Sequence, residues 1–353
     1  HRTFAWGSDA RGKAHVHVVI LGLSKRSNTP AQRRLFDYPD INGEPHESQH
    51  AAISAYLFDA GQLANPHIVV REESRPVNGL PKLLIGTQPI DNGHYIFNAE
   101  ERASFLAVEP QAEHFMHPFV GAREHINGEK RWILALQKAT PGELKAMPKV
   151  LERLRAVKAF RSKSKRKGTL AIADYPERYN VEVIPTKPFL VVPRVSSERR
   201  EYVPIGWMEP PVIPSDAVFA LNNANPPLFG LLTSAMHMSW LRYMGGRLKS
   251  DYRYSIGMVY NPFPLPPTYG DEQAMAKLEP LANAVLNARA AHPSASLADL
   301  YDPDVMPADL RRAHQRLDRA VDRLYRKASF ASDRDRVEYL LALYEQNLAA
   351  DTR

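Results

Sequence analysis

The chain has 353 residues, 44% of them hydrophobic, which suffices for more than one domain with a buried core and excludes a disordered segment. It has no cysteine, which excludes disulfide staples, thiolate catalysis and Cys-ligated zinc. A formal charge of +7 and a pI near 9.4 favour a polyanionic partner.

The first residue is His1 rather than Met, so the chain is expected to continue a longer protein. No apolar run approaches the ~18 residues of a membrane span. The N-terminal stretch lacks the charged-apolar-small order of a signal peptide. A cytoplasmic location without membrane contact is the expectation.

In chain order, "AHVHVVILGL" (14–23) reads as a buried strand, β-branched and almost continuously apolar. Residues 24–52 read as a polar loop with turn signals at Asn28-Thr29-Pro30, Asp40 and Asn42-Gly43. Between 53 and 120, short apolar runs (Ile68 to Val70, Leu83 to Ile85, Tyr95 to Phe97) alternate with turns, which predicts a mixed sheet. The stretch 142–167 has helical period, with Val150, Leu154 and Val157 on one face and Leu151 beside them. "VEVI" (181–184), "FLVV" (189–192) and "EYVPIGW" (201–207) read as strands. "LFGLLTSAMHMSWLRYMGG" (228–246) reads as a helix stopped by a glycine pair.

The proline-rich "YNPFPLPP" (260–267) marks a boundary that no helix interior can cross. Helices are predicted after it over 271–291 and 307–326, the second with a stripe of Leu310, Ala313, Leu317, Ala320, Val321 and Leu324. A third carries Val337, Leu340, Leu341 and Tyr344. The fold class expected is α+β: a mixed-sheet body followed by a C-terminal helical segment.

Catalytic signals are sparse. Asn225-Pro226-Pro227 spells most of the motif by which amino-methyltransferases hold a flipped base, but Leu228 stands where a stacking aromatic is needed. No glycine-rich cofactor loop precedes it, so a surface turn is expected. His15 and His17 share a strand face, and His114 and His117 have helical spacing beside Glu113, but neither pair has a third metal ligand nearby. Asp91 with Glu143 and Lys145 supplies the letters of a Mg²⁺ nuclease, yet Glu143 and Lys145 fall at a helix start. Asp302 and Asp304 resemble a helix-capping turn. No catalytic or metal-binding residue is assigned.

Three basic segments carry more information. The first, 149–167, holds Lys158, Arg161, Lys163, Lys165 and Arg166. The second, 194–206, combines Ser196 and Ser197 with Arg199 and Arg200, hydroxyls and guanidinium forks suited to phosphate oxygens and base edges. The third, 236–255, sets Ser239, Arg242, Arg247, Lys249 and Arg253 among Trp240, Tyr243, Tyr252 and Tyr254, a pattern suited to clamping nucleic acid. These are the candidate DNA-binding residues.

Several blocks resemble MmeI-like enzymes, which fuse nuclease, DNA methyltransferase and target recognition in one chain. "FAWGSDARGKAHVHVVILGL" (4–23) is similar to the end of their methyltransferase domain. "NGLPKLLIGTQPIDNGHYIF" (78–97), "VGAREHINGEKRWIL" (120–134), "VPRVSSERREYVPIGW" (192–207), "FGLLTSAMHMSWLRYMGGRLKSDYRYS" (229–255) and "VYNPFPLP" (259–266) resemble their recognition region. "SLADLYDPDVMPADLRRAHQRLDRAVDRLY" (296–325) resembles their C-terminal helical segment.

The resemblance implies a methyltransferase tail over 1–30, a target-recognition domain over 31–265 and a C-terminal helical domain over 266–353. It implies double-stranded DNA as partner and an upstream methyltransferase domain in the same parent chain. S-adenosylmethionine would be used there, for N6 of adenine, with no cofactor held by this part. Two other readings stay open: a self-contained methyltransferase using Asn225, and a protein-interaction scaffold.

Overall fold

The computed structural model describes residues 1–6, 16–61, 63–77 and 79–351. Two small antiparallel pairs open it: β1 (Phe4–Trp6) with β2 (Val16–Val18), and β3 (Arg33–Asp37) with β4 (His46–His50). The region expected to be a loop over 24–52 therefore contains a strand pair. Its strands escape the sequence pattern because β4 is exposed along most of its length and shows no apolar alternation. The strand expected over 14–23 is shorter than its apolar run: residues 14 and 15 lie outside the described residues, and Val19, Ile20, Leu21 and Leu23 are exposed. The described residues do not bury that run.

The body follows in the order β5 (Leu83–Ile85), β6 (Ile96–Phe97), α1 (Ala99–Val108), β7 (Met116–Val120), α2 (Ala122–Asn127), β8 (Trp132–Leu134), α3 (Pro141–Ala146), α4 (Pro148–Ser162) and α5 (Lys167–Ala171). It continues with β9 (Phe189–Pro193), β10 (Val195–Ser196), β11 (Gly206–Met208), β12 (Ile213–Pro214), β13 (Val218–Asn222), α6 (Pro226–Leu232), α7 (Ala235–Met244), β14 (Gly246–Leu248) and β15 (Asp251–Arg253).

These strands build three sheets. One is antiparallel in the order β11-β9-β13-β5. The second, β12-β7-β8-β6, is mixed, because β12 runs parallel to β7. The two sheets meet where Gly86 crosses Ser215: a Cβ on Gly86 would lie 2.1 Å from the Ser215 carbonyl oxygen. Only glycine permits that approach. The third sheet, β10-β15-β14, is small and antiparallel.

Some expected elements are shorter or broken. Of "VEVI", only Val181 pairs, through an isolated bridge to Gln88, and Ile68 to Val70 is irregular chain without a ladder. The helix expected over 142–167 is α3 and α4, broken at Met147-Pro148 because proline lacks the N–H that would continue the ladder. The helix expected over 228–246 breaks likewise, between α6 and α7, where Ser234 turns to cap α7 and its hydroxyl accepts the His237 N–H at 3.4 Å.

After the buried 260–265 connection come α8 (Glu272–Ala276), α9 (Glu279–Ala290), α10 (Leu297–Leu300), α11 (Ala308–Tyr325) and α12 (Asp333–Asp351). The proline-rich connection does not divide the packing. One apolar cluster runs from Phe58 and Leu190 through Phe229 and Trp240 to Leu317 and Leu341. The C-terminal helices and the first sheet therefore share a core. A second cluster joins the mixed sheet to the Val150, Leu154 and Val157 face of α4.

Candidate nucleic-acid interface

The three-stranded sheet brings two of the basic segments together. Ser196 on β10 lies opposite Tyr252 on β15, and Arg247 on β14 also lies opposite Tyr252. β14 and β15 are joined by the two residues Lys249 and Ser250, with Lys249 in the left-handed region at φ 57°. The result is a short two-stranded ribbon whose Arg247, Leu248, Lys249 and Arg253 are exposed. A ribbon of this width fits the major groove of duplex DNA.

The ribbon is aimed from its base. Gly245 ends α7 with its N–H donated to Leu241 O, and a Cβ there would come within 2.5 Å of that oxygen. The chain thus turns directly from α7 into β14. The Arg247 guanidinium lies 4.1 Å from the Tyr252 ring centroid and donates to Ser250 O at 2.9 Å. Stacking on the ring limits the rotamers the side chain loses on binding. A cleft of about 500 Å³ opens alongside, lined by Arg2, Tyr56, Arg242, Tyr243, Arg247 and Tyr252 among others.

The candidate residues divide by burial. Lys163, Lys165 and Arg166 are exposed past the end of α4. Lys158 is exposed and pairs with Asp174 at 2.8 Å. Arg199 is exposed and pairs with Asp304, with Asp302 at 3.7 Å. Ser197 and Arg200 are half-buried, and burial lowers the Arg200 pKa against the pull of Asp251 and Asp302. Arg242 is half-buried, ion-paired with Asp333, and donates to Glu201 O at 2.8 Å.

Three candidates are withdrawn from a DNA-facing role. Arg161 is fully buried, and its guanidinium donates to five backbone carbonyls, those of Pro89, Ile90, Ile172, Tyr175 and Arg178, at 2.7 to 3.1 Å. No donor is left for a phosphate. It also fixes Ile90, which holds φ 48° in a loop where Asn92 is left-handed too. Ser239 is fully buried, with its hydroxyl 2.7 Å from Ala235 O and 3.0 Å from Asp333. Ser196 is buried at 3% exposure. Basic and hydroxyl letters did not distinguish these from their solvent-facing neighbours.

The catalytic candidates resolve into caps and packing. Asn225 caps α6: its Oδ1 accepts the Leu228 N–H at 2.9 Å, and Pro226 occupies the first turn. Proline there costs no hydrogen bond. Leu228 and Phe229 point into the core at 2% and 0% exposure, so this motif presents no stacking face. Glu143 closes a capping box, its carboxylate accepting the Thr140 N–H at 2.7 Å. Asp91 is buried and accepts the Tyr95 N–H at 2.7 Å. His15 lies outside the described residues. Among the described residues no group of three or more His, Asp or Glu could hold a metal ion.

The family described as the MmeI target recognition domain matches residues 64–267, and that described as the MmeI C-terminal domain matches 270–351. DNA methyltransferase A of Bacillus subtilis (strain 168) is 35% identical over 346 residues, 98% of this chain and 38% of the relative. The solved structure of the type IIL restriction-modification enzyme MmeI in complex with DNA superposes with a TM-score of 0.88 at 38% identity, covering 99% of this chain and 45% of that one. The chain spans less than half the length of both relatives.

Proposed function

The chain belongs to the MmeI family, of which it carries the target-recognition and C-terminal domains, and from this premise we propose that it reads duplex DNA sequence on behalf of a methyltransferase. The observation that carries the reading is the exposed β14–β15 ribbon with Arg247, Lys249 and Arg253, beside Arg199 and Arg200 of the neighbouring segment. The ribbon enters the major groove, and Arg247 or Arg253 reads a guanine edge by a bidentate contact. Lys163, Lys165 and Arg166 hold phosphates and set orientation without reading sequence.

The parent protein transfers the methyl group of S-adenosylmethionine to N6 of adenine. The chemistry sits in an upstream methyltransferase domain of the same chain, since Asn225 caps a helix here. That domain also covers the exposed apolar run from Val19 to Leu23. The setting is cytoplasmic.

Binding to a randomised duplex library tests this. An enriched sequence, bound with an affinity that falls linearly in log salt, supports it. Binding that ignores both salt and sequence favours a protein-interaction scaffold instead.

A further inference from the structure

The four arginines at 312, 316, 319 and 323 lie three or four residues apart along α11. At 100° per residue they fall on one ridge, opposite the buried face of Leu310, Ala313, Leu317 and Val321. All four are exposed, and among the described residues no side-chain hydrogen bond or ion pair is made by any of these four.

That freedom is unusual in this part of the molecule. Arg289 donates to Ile205 O, Arg311 pairs with Glu201, Arg326 with Asp335, Arg334 with Glu338 and Arg336 with Asp322. The acids of α11 are turned away from the ridge: Asp318 and Asp322 are buried, and Asp309 is held by His292. Solvated helix faces ordinarily mix both signs. This one has a single sign and uses arginine throughout.

We propose that the α11 ridge is a second, sequence-independent DNA surface, which follows the phosphate backbone beyond the bases read by the β14–β15 ribbon. The inference rests on the DNA-reading function above. The ridge spans about 16 Å from first to last arginine. Duplex DNA presents a charge about every 1.7 Å of its axis. The ridge offers four guanidinium forks and no exposed large apolar side chain, so it lacks the apolar centre that a protein partner would need. Its N-terminal end is anchored to the recognition body, where Arg311 donates to Glu201 at 2.9 Å and Arg199 pairs with Asp304. A duplex held at Arg199 and Arg200 thus lies close to the start of the ridge.

The test uses the full chain and two duplexes, a short and a long one, built around one central sequence. The four arginines are changed together to Gln in one variant and to Lys in a second. On the long duplex the Gln variant is expected to lower the slope of log K against log salt by about 2 to 4, while the Lys variant keeps it. On the short duplex all three proteins are expected to bind alike. Equal slopes for wild type and the Gln variant on the long duplex, with short-duplex binding intact, overturn the ridge proposal alone; an acidic protein as the true partner would give this result. Failure of the wild type on both duplexes sinks the DNA-reading function itself. Unchanged thermal unfolding of the variants excludes a folding defect.

Discussion

Arg242, in the last turn of α7, is ion-paired with Asp333, the first residue of α12. The same carboxylate lies 3.0 Å from the Ser239 hydroxyl and 3.4 Å from Arg336. β14 begins at Gly246, directly after the Gly245 that ends α7, so this one carboxylate ties the C-terminal helices to the base of the β14–β15 ribbon. Burial pulls the Arg242 pKa down, and Asp333 and Tyr252 more than restore it.

A double-mutant cycle with Arg242→Ala and Asp333→Ala is expected to give a coupling of about 1 kcal/mol in urea unfolding, as for a partly buried contact pair. Additive effects would mean that the pair is a surface contact without influence on the fold.

Arg161 and Lys163 are close in sequence and are expected to behave oppositely. Arg161→Gln removes the donor from buried carbonyls and is expected to cost at least about 3 kcal/mol of stability. Lys163→Ala is expected to leave unfolding unchanged and to lower the salt slope of DNA binding by about 1. Urea denaturation and a salt titration separate the two. A stable Arg161→Gln protein with weakened DNA binding would return Arg161 to the interface.

Much of this architecture is legible in the residues, and the failures have physical causes. The α4 face and the α11 stripe could be read because helical period reports burial directly. The β3–β4 pair could not, because an exposed strand has no apolar alternation. Arg161 is not legible as buried because a charge run looks the same whether a guanidinium faces water or gathers carbonyls. The α11 ridge does leave a signal, arginine at helical spacing on the side opposite the apolar stripe. Long-range partners such as Asp333 for Arg242 leave no local trace.

Asn225→Ala is expected to cost about 1 kcal/mol through loss of the α6 cap. It is expected to leave methylation by the parent protein intact. An activity loss as large as that from a catalytic residue, with normal stability, would restore the methyltransferase reading of Asn225-Pro226-Pro227.

Asp318 links α11 to α7: its carboxylate accepts the Tyr202 hydroxyl at 2.6 Å and the Ala235 N–H at 2.7 Å. Burial raises its pKa to about 6 from 3.8, against the opposing pull of those two bonds. The folded state therefore binds this proton more tightly than the unfolded one. The associated stabilisation is complete below the unfolded value and is lost as pH rises through about 6. Relative to Asp318→Asn, the wild type is expected to gain stability in urea as pH falls from about 7 to 4. A difference independent of pH would place the titration elsewhere.

Selection from a randomised duplex library by wild type and Arg247→Ala tests most directly whether the β14–β15 ribbon reads sequence. The wild type is expected to enrich one motif. The variant is expected to enrich the same motif with preference relaxed at a single position, worth about 1 to 3 kcal/mol of discrimination. Identical motifs from both proteins, or a uniform loss of affinity on every sequence, would contradict the assignment.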